Sequence, residues 1–275
     1  VHIAIIIPVY NESRWVVRGV ERVLQTLPPT CGVVRGVNAQ GKSEPCQRTL
    51  ILIDDGSTDG SIDLIKSLAT KPGVEALYHA RNQGKGAAIA TGLAHALSKG
   101  VDAALIHDAD LEYDPSDHEV ALRPIIDGRA DAVIGSRFLG QTHRVLYYWH
   151  SVANRAITTF SNMATNLNLT DIECCTKCFT RAVMQRLVIT ERGFGVEPEL
   201  VARLAHMRIP DDATVSASVS AAPSTTPTSL RPLRIYEVPV SYAGRTYAEG
   251  KKIKWTDGFG ALSCIFKYGV LRTGS

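Results

Sequence analysis

Leu105-Ile106-His107-Asp108-Ala109-Asp110-Leu111-Glu112-Tyr113-Asp114-Pro115 is the stretch on which the reading of this chain turns. It opens apolar, continuing Val101, Ala103 and Ala104, as a strand buried on both faces does. It then breaks into carboxylates at Asp108, Asp110 and Glu112 and stops at a proline. Alternate side chains of a strand point the same way, so the spacing predicts that these three converge at a strand's end. Three carboxylates held together repel one another and call for a cation. Oxygen ligands suit Mg2+ or Mn2+, ions that keep positions open for substrate phosphates. Asp108, Asp110 and Glu112 are therefore the candidate metal ligands. For Asp-x-Asp taken alone, a solvated acidic turn is the competing reading.

The chain has 275 residues, enough for one large α/β domain or two small ones and ample for a sizeable core. A hydrophobic content of 45% with 21% charged residues is ordinary for a globular protein. A net charge of +3 is too small to argue for a nucleic-acid partner, and none is expected; it permits, without requiring, attraction to an anionic membrane surface. There are six cysteines, and a chain this long needs no disulfide staples; with no secretory signal in view, reduced thiols are the expectation. Cys175-x-x-Cys178 has zinc-like spacing but no second ligand pair at a matching distance, so packing is the expected role. No segment reaches the ~18 apolar residues of a membrane span. The sequence starts at Val1, so a span outside residues 1–275 is left open.

Residues 2–9 read as a buried parallel strand, followed by the turn Tyr10–Ser13 and a helical stripe from Trp15 to Leu27. Residues 30–48 read as a long surface loop. Thr49 to Ile53 is a second strand, stopped by Asp54-Asp55-Gly56-Ser57-Thr58-Asp59-Gly60, and a helix covers 60–69. Val74 to His79 is a third strand, and 86–98 an Ala-rich helix. After the central strand come a helix closed by Pro124 to Gly128 and a short strand, Ala132 to Gly135. The alternation predicts a doubly wound, mostly parallel α/β sheet. Ligands sit at the carboxyl ends of such strands. Tyr10–Glu12, Asp54–Asp55, Asp108–Glu112 and Ser136–Arg137 all fall there, and four polar clusters on one edge outweigh any one of them.

Further on, 145–168 reads as one or two helices and Phe194 to Met207 as another. Residues 211–231 are rich in Ser, Thr, Ala and Pro and read as a disordered insertion. A strand at Arg234 to Val240 leads into a basic segment, Arg245 to Lys254. The catalytic domain is thus expected over 1–255. An amphipathic helix over 256–275 carries Phe259, Leu262, Phe266 and Val270, suited to the core or to a membrane surface. Lys85 lies in a Gly-x-Gly turn, but position 89 is Ile and no acidic ribose ligand follows at the expected place. A dinucleotide fold is disfavoured, and a Walker-type phosphate loop is absent.

Pro8-Val9-Tyr10-Asn11-Glu12, Asp54-Asp55-Gly56-Ser57-Thr58-Asp59, Asp108-Ala109-Asp110 and Gly135-Ser136-Arg137 follow one another in a familiar order and spacing. The set resembles the family 2 glycosyltransferases of the type A (nucleotide-diphospho-sugar transferase) fold. Within them it is most similar to dolichyl-phosphate mannose and glucose synthases and their polyprenyl-phosphate relatives. The likeness runs from about residue 3 to 272, skipping 30–48 and 211–231. It implies transfer of a hexose from a UDP- or GDP-sugar to a polyprenyl phosphate, metal-dependent and inverting, at the cytoplasmic face of a membrane. The protein would be peripheral there, or anchored by a span outside these residues.

The same resemblance implies residue roles. Pro8, Tyr10 and Glu12 would line the nucleotide pocket with Asp108 and Ala109, and Asp55 and Ile53 would meet the base. Asp110, Arg245 and Lys251 would be catalytic, the two basic groups closing over the phosphates. Ser136, Arg137, Arg144, His150 and Asn154 would face the acceptor phosphate, the match being loose at His150. Asp54 and Asp59 read equally as helix caps, Lys85 as a solvated loop lysine, and His107 as structural. One of Asp171, Glu173, Glu197 and Glu199 would contact the sugar. A phosphate acceptor needs no general base, whereas a soluble hydroxyl acceptor would, and Asp171 or Glu173 could serve. A nucleotidyltransferase or a non-catalytic sugar-nucleotide binder are the remaining alternatives.

Overall fold

β1 (His2–Val9) runs through the middle of the molecule because both of its faces are apolar and both are covered. The computed structural model describes residues 1–31, 44–140, 144, 148–211, 229–245 and 257–272. β1 pairs in parallel with β4 (Gln47–Asp54) on one side and β6 (Ala103–Ile106) on the other. Successive side chains alternate between the faces. Ala4 and Ile6 enter one core with Ile51, Ile53 and Ala104; Ile3, Ile5 and Ile7 enter a second with Leu50, Leu52 and Leu105. The second core is roofed by α1 (Val16–Gln25), α2 (Ser61–Leu68) and α4 (His118–Ile126). Each buried Ile, Leu or Val there contributes roughly 1.5–3 kcal/mol.

The first core is roofed by α3 (Lys85–Ser98), which lies close on the sheet. A Cβ at Gly92 would stand 2.6 Å from Ile6 Cγ2 and 2.9 Å from Ile53 Cδ1, so only glycine lets this helix approach so far. β5 (Val74–Tyr78) extends the sheet beyond β4. On the other side come β7 (Ala132–Ser136), β8 (Lys177–Thr180) and β11 (Ile235–Pro239). The order is β11-β7-β8-β6-β1-β4-β5, seven strands. All pairings are parallel except those of β8, which runs antiparallel between β6 and β7. The mostly parallel α/β sheet thus forms as expected, while β8 is an element that the sequence pattern does not announce. Four residues are too few to display a period.

Several expectations are corrected. Residues 30–48 are not wholly loop: β2 (Thr30–Cys31) pairs with β3 (Glu44–Pro45), and β4 starts at Gln47. Cys46 is disulfide-bonded, so the thiols are not all reduced. Cys174, Cys175, Cys178 and Cys264 are free and buried. The expected insertion at 211–231 falls mostly outside the described residues. Its flanks, β9 (Arg208–Pro210) and β10 (Leu230–Pro232), pair antiparallel. Among the described residues of 145–168 there is one helix, α5 (Tyr148–Thr165). α6 (Arg181–Met184) and α7 (Val196–His206) follow β8. The C-terminal helix α8 (Asp257–Cys264) continues as a π-helical turn, Ile265–Val270. It packs on α5 and α7 through Ala261, Cys264, Ile265 and Tyr268. Among the described residues no helix is long and apolar enough to cross a membrane.

At the edge of the sheet where the parallel strands begin, Asp131 ties β10 and β11 to β7. Its buried carboxylate accepts from Arg231 Nη1 (2.6 Å) and Nη2 (2.9 Å), and from Arg234 N (2.7 Å) and Nη2 (2.9 Å). Burial alone would raise its pKa, but these donors hold it far below the usual carboxylate range. A folded-state pKa below the unfolded value of about 3.9 means that this stabilisation is present above that pH and is lost as the pH falls below it. Asp131→Asn should therefore lower stability by roughly 2 kcal/mol or more at neutral pH. It should also flatten the loss of stability of the wild type on acidification below about pH 4. Urea denaturation of both proteins at pH 7 and pH 3 checks this, and equal midpoints at pH 7 would refute the latch.

Candidate active site

The carboxyl ends of β1, β4, β6 and β7 share one edge, and the segments that follow them are laced together there. Asn11 takes a left-handed backbone (φ 52°), and its side chain accepts from Thr58 N at 2.8 Å. Ser57 Oγ and Ser61 Oγ accept from the backbone of Asn11 and Glu12, each at 3.0 Å. Asp54 accepts from Gly56 N and Ser57 N. Asp59 accepts from Ser13 N and from both Ser61 N and Oγ. Burial opposes the charge on Asp59, but these bonds bring its pKa down to about 2. Asp54 and Asp59 are thus occupied in holding turns.

Asp108, Asp110 and Glu112 arrive at this edge, but not as alternating residues of a strand. β6 ends at Ile106, and Leu111 adopts φ 66°, so the chain turns between the carboxylates. Asp108 meets Lys85 Nζ at 3.0 Å. Asp110 and Glu112 turn instead to Arg245. Arg245 Nη2 donates to Asp110 Oδ2 (2.8 Å), its Nε and N donate to Glu112 Oε1 (3.1 and 3.0 Å), and Nη1 lies 3.5 Å from Glu12 Oε2. Tyr242 Oη donates to the other oxygen of Glu112 at 2.8 Å. Among the described residues no three acidic, His or Cys side chains are gathered to hold a metal ion. The expected three-carboxylate centre is therefore not assembled, because the chain's own cations occupy its oxygens.

A second chain of charges lies beneath. Lys85 Nζ is also 3.1 Å from Glu197 Oε1, and Glu197 is in turn paired with Lys177. Lys177 is fully buried and donates to Cys174 O at 2.5 Å and Ile172 O at 3.3 Å. Burial opposes both lysine charges. The carboxylates of Asp108 and Glu197 outweigh it, holding Lys85 well above its ordinary pKa, and Glu197 raises that of Lys177. On the far side, Arg137 forks onto Asp171, Nε to Oδ2 at 2.6 Å and Nη2 to Oδ1 at 2.8 Å. It also reaches Asn154 Oδ1 at 3.2 Å and lies 5.1 Å over the Tyr242 ring.

Among the described residues the arrangement carries surplus negative charge: Glu12, Asp108, Asp110, Glu112, Asp171, Glu173 and Glu197 are seven carboxylates against the four cations Lys85, Arg137, Lys177 and Arg245. Two carboxyls register the excess. Burial, then the charges of Asp108 and Glu112, push Asp110 up to about 7; burial and Glu197 push Glu173 up to about 7. Hard oxygen donors short of positive charge are what Mg2+ or Mn2+ would relieve, and Asp108 with Asp110 could hold such an ion. Glu112 is committed to Tyr242 and Arg245.

The other predicted residues divide. Tyr10 is exposed at the rim, Glu12 and Ala109 are buried beside the cluster, and Pro8 is half-buried. Ala109 O stands 2.9 Å from where a Cβ on Gly19 would be, so α1 crowds the backbone of this loop. Ile53 is a correction: its side chain is wholly in the core beneath α3 and has no surface for a base. Asp55 is buried and already accepts from His79 Nδ1 (2.7 Å), Gln83 N (2.9 Å) and Gly84 N (2.7 Å), which anchors the approach to α3. Ser136 is fully buried and bonded to Thr170 Oγ1 at 2.6 Å, so it presents nothing to an acceptor. Asn154 is buried beside Arg137, while Arg144 is exposed and bonded to Gly244 O at 3.3 Å. His150 lies in the first turn of α5, half-buried. Lys251 lies outside the described residues.

His107 is structural, as expected. It is buried with its ring 3.1 Å from His118, and burial pulls its pKa down to about 4. Lys85 is no solvated loop residue. Its neighbours Gly84 and Gly86 press on the carbonyls of Arg192 and Glu191, where added Cβ atoms would stand at 2.2 and 1.9 Å. Sequence reasoning misses Lys177 and Tyr242 altogether. The one signal for Lys177 is a lysine inside the apolar run Cys174–Phe179.

Residues 4–191 match the model of the family described as Glycosyl transferase family 2. A UDP-N-acetylglucosamine–dolichyl-phosphate N-acetylglucosaminyltransferase of Methanococcus voltae is 25% identical over 67% of the chain and 72% of its own length. Glycosyltransferase AglJ of Haloferax volcanii is 28% identical over 67% of the chain and 58% of that protein. An undecaprenyl-phosphate 4-deoxy-4-formamido-L-arabinose transferase of Serratia proteamaculans is 26% identical over 68% of the chain and 51% of that protein. The chain thus spans little more than half the length of two of these relatives. In fold it is similar to glucosyl-3-phosphoglycerate synthase from Mycobacterium tuberculosis, solved with Mn2+, UDP and glucosyl-3-phosphoglycerate. The TM-score is 0.59 at 17% identity, covering 98% of this chain and 80% of that one. With the family model covering most of its length and the type A fold around the carboxylate edge, the chain belongs to glycosyltransferase family 2.

Proposed function

We propose that the chain transfers a hexose from a UDP- or GDP-sugar to a polyprenyl phosphate, with inversion, at the cytoplasmic face of a membrane. The observation that carries this reading is the carboxylate surplus at one sheet edge, with Arg245 clasped over it and Arg137 beside it. A donor diphosphate is itself anionic, so such a site calls for accompanying positive charge. A divalent ion held by Asp108 and Asp110 would supply it, offsetting the charge that develops on the leaving diphosphate. Arg245 would leave its carboxylates for the diphosphate, and Lys251 would join it. Lys85, clamped between Asp108 and Glu197, would present a fixed positive charge to the same oxygens. Tyr10 and Glu12 would border the nucleotide. Asp55 would act by fixing the Gln83–Gly84 backbone at the entry to α3.

An acceptor phosphate asks little of the protein. Its oxygen is already anionic and requires orientation rather than a base. Arg137, held in place by Asp171 and Asn154, would orient it, with Arg144 and His150 nearer the rim. Relatives named for dolichyl- and undecaprenyl-phosphate support this acceptor class. The soluble-acceptor alternative, which the structural neighbour's name favours, would need a free carboxylate base. Asp171 is wholly buried in its pair with Arg137 and offers none, which leaves Glu173 as the one base that reading could use.

A lipid acceptor also fits the outer surface. α5 exposes Trp149, Ala153, Ala156, Phe160 and Met163 along one face, and the C-terminal segment exposes Leu262, Phe266 and Val270. The two meet where a Cβ on Gly269 would stand 2.9 Å from Ala164 Cβ. Apolar stripes on adjacent surface helices suit a bilayer interface.

Incubation with labelled UDP- or GDP-hexoses and a short polyprenyl phosphate should move label into organic solvent. Asp110→Ala should abolish this transfer with an unchanged circular dichroism spectrum, and Arg245→Ala should cut turnover at least ~10²-fold. Full activity in excess chelator would remove the metal. Phe160→Asp combined with Phe266→Asp changes two exposed positions, so the protein should stay folded and stop co-sedimenting with anionic vesicles. A folded double variant that still sediments would refute the membrane surface.

A further inference from the structure

Four carboxylates near the acceptor side are candidates to touch the donor sugar, and the packing commits three of them elsewhere. Asp171 is fully buried in the fork of Arg137. Glu199 is fully buried and accepts from Thr190 N (2.9 Å), Glu191 N (2.7 Å) and Arg203 Nε (2.8 Å), so it fixes a loop. Glu197 has no hydrogen bond at Oε1 but is ion-paired at both oxygens, Oε1 lying 3.1 Å from Lys85 Nζ and Oε2 meeting Lys177. Glu173 remains. Its Oε1 is buried with no hydrogen-bond partner, while the residue as a whole keeps part of its surface open.

Topology sets the position of Glu173. β8 runs antiparallel, so the lead-in at residues 171–176 arrives at the edge where the parallel strands end. Glu173 N donates to Asp171 Oδ1 at 3.2 Å, which fixes the backbone of the residue. The charges that act on its carboxyl are those of Glu197, Lys177, Arg137 and Asp171. In the chain, Glu173 lies midway between Asp171, paired with Arg137 where the acceptor phosphate would lie, and Cys175, whose side chain hydrogen-bonds Asp108 where the diphosphate would lie. In a transfer between those two groups, the sugar lies between them.

We propose that Glu173 hydrogen-bonds a hydroxyl of the donor sugar and so determines which sugar the site accepts; this rests on the donor reading above. An unpartnered buried oxygen is costly until a ligand supplies the missing bond. A sugar hydroxyl in the right configuration supplies it, and an epimer or deoxy analogue leaves it unmade. Sites built to bond a hydroxyl discriminate strongly against analogues that lack it. Glu173 can accept from such a hydroxyl when ionised and donate to it when protonated.

Calorimetry separates this inference from the donor reading beneath it. Wild type is first titrated with bare UDP and GDP and with a panel of their hexose, epimer and deoxyhexose derivatives. Binding of a sugar nucleotide is the only property required of the wild type, whether or not the sugar is then transferred to lipid. Glu173→Ala should bind the bare nucleotide as wild type does, lose at least ~10-fold in affinity for the preferred sugar nucleotide, and lose most discrimination against its epimer. Glu173→Gln should recover part of that affinity. Unchanged discrimination in Glu173→Ala overturns the inference while leaving the donor reading intact. So does an equal loss for bare and sugar-bearing nucleotide, which would make Glu173 a structural residue. A wild type that binds no sugar nucleotide at all overturns both.

Discussion

Mutual repulsion among desolvated carboxylates is the constraint that the functional edge of this protein is arranged around. Each acidic group there except Glu173 has a cation or a set of N–H donors against it. Breaking one partner out of a buried pair leaves an uncompensated charge, at a cost of about 3–5 kcal/mol. The pairs are therefore coupled: Lys177 is viable in the core because of Glu197, Glu197 is shared with Lys85, and Lys85 answers Asp108. The same logic runs on the other side from Asp171 through Arg137 to Asn154. What the chain does not neutralise collects at Asp110 and Glu173, the two carboxyls raised to about 7.

Topology concentrates these charges. A parallel sheet places the ends of β1, β4, β6 and β7 on one edge, and each end releases a polar turn. The antiparallel β8 adds a fifth segment to that edge by arriving rather than leaving, which brings Asp171, Glu173 and Lys177 to the carboxylates of the β6 turn. Glycines do the close work. Gly84 and Gly86 let the start of α3 press on the 191–192 backbone, and Lys85 between them is thereby aimed at Asp108 and Glu197. A methyl group at either position would push that loop away and the lysine with it.

The parts legible in the sequence are those carried by local pattern. Isoleucine runs and β-α alternation give the sheet, and motif spacing gives the edge on which Tyr10, Asp55, Asp108 and Arg137 all lie. The pairwise geometry is hidden. Period-2 reasoning from Asp108 to Glu112 assumes that the strand continues, whereas a left-handed Leu111 bends the chain after Asp110. Motif position alone would put Ser136 and Ile53 against ligand, but strand parity and the approach of α3 turn them inward. Partners more than a hundred residues apart, such as Arg245 with Asp110 and Glu112, leave no local trace. Nor does a four-residue strand, so the reason that Lys177 can be buried becomes visible only once its neighbours are placed.

Arg245 exposes the link between charge and function most directly. It gives one guanidinium to three carboxylates, Glu12, Asp110 and Glu112, and its own backbone N–H also goes to Glu112. On the proposed function that same guanidinium is wanted by the donor diphosphate. It cannot serve both without positive charge arriving to replace it, since withdrawing it would remove the cation those carboxylates share. Donor binding and cation binding are then thermodynamically linked through Arg245, each favouring the other by the same factor. A diphosphate alone would have to pull Arg245 away against its ion pairs, whereas a diphosphate that comes with a divalent ion exchanges one set of charge contacts for another. The clasp across the carboxylate edge and the selectivity for a metal-borne donor are, on this view, one property of the same four side chains.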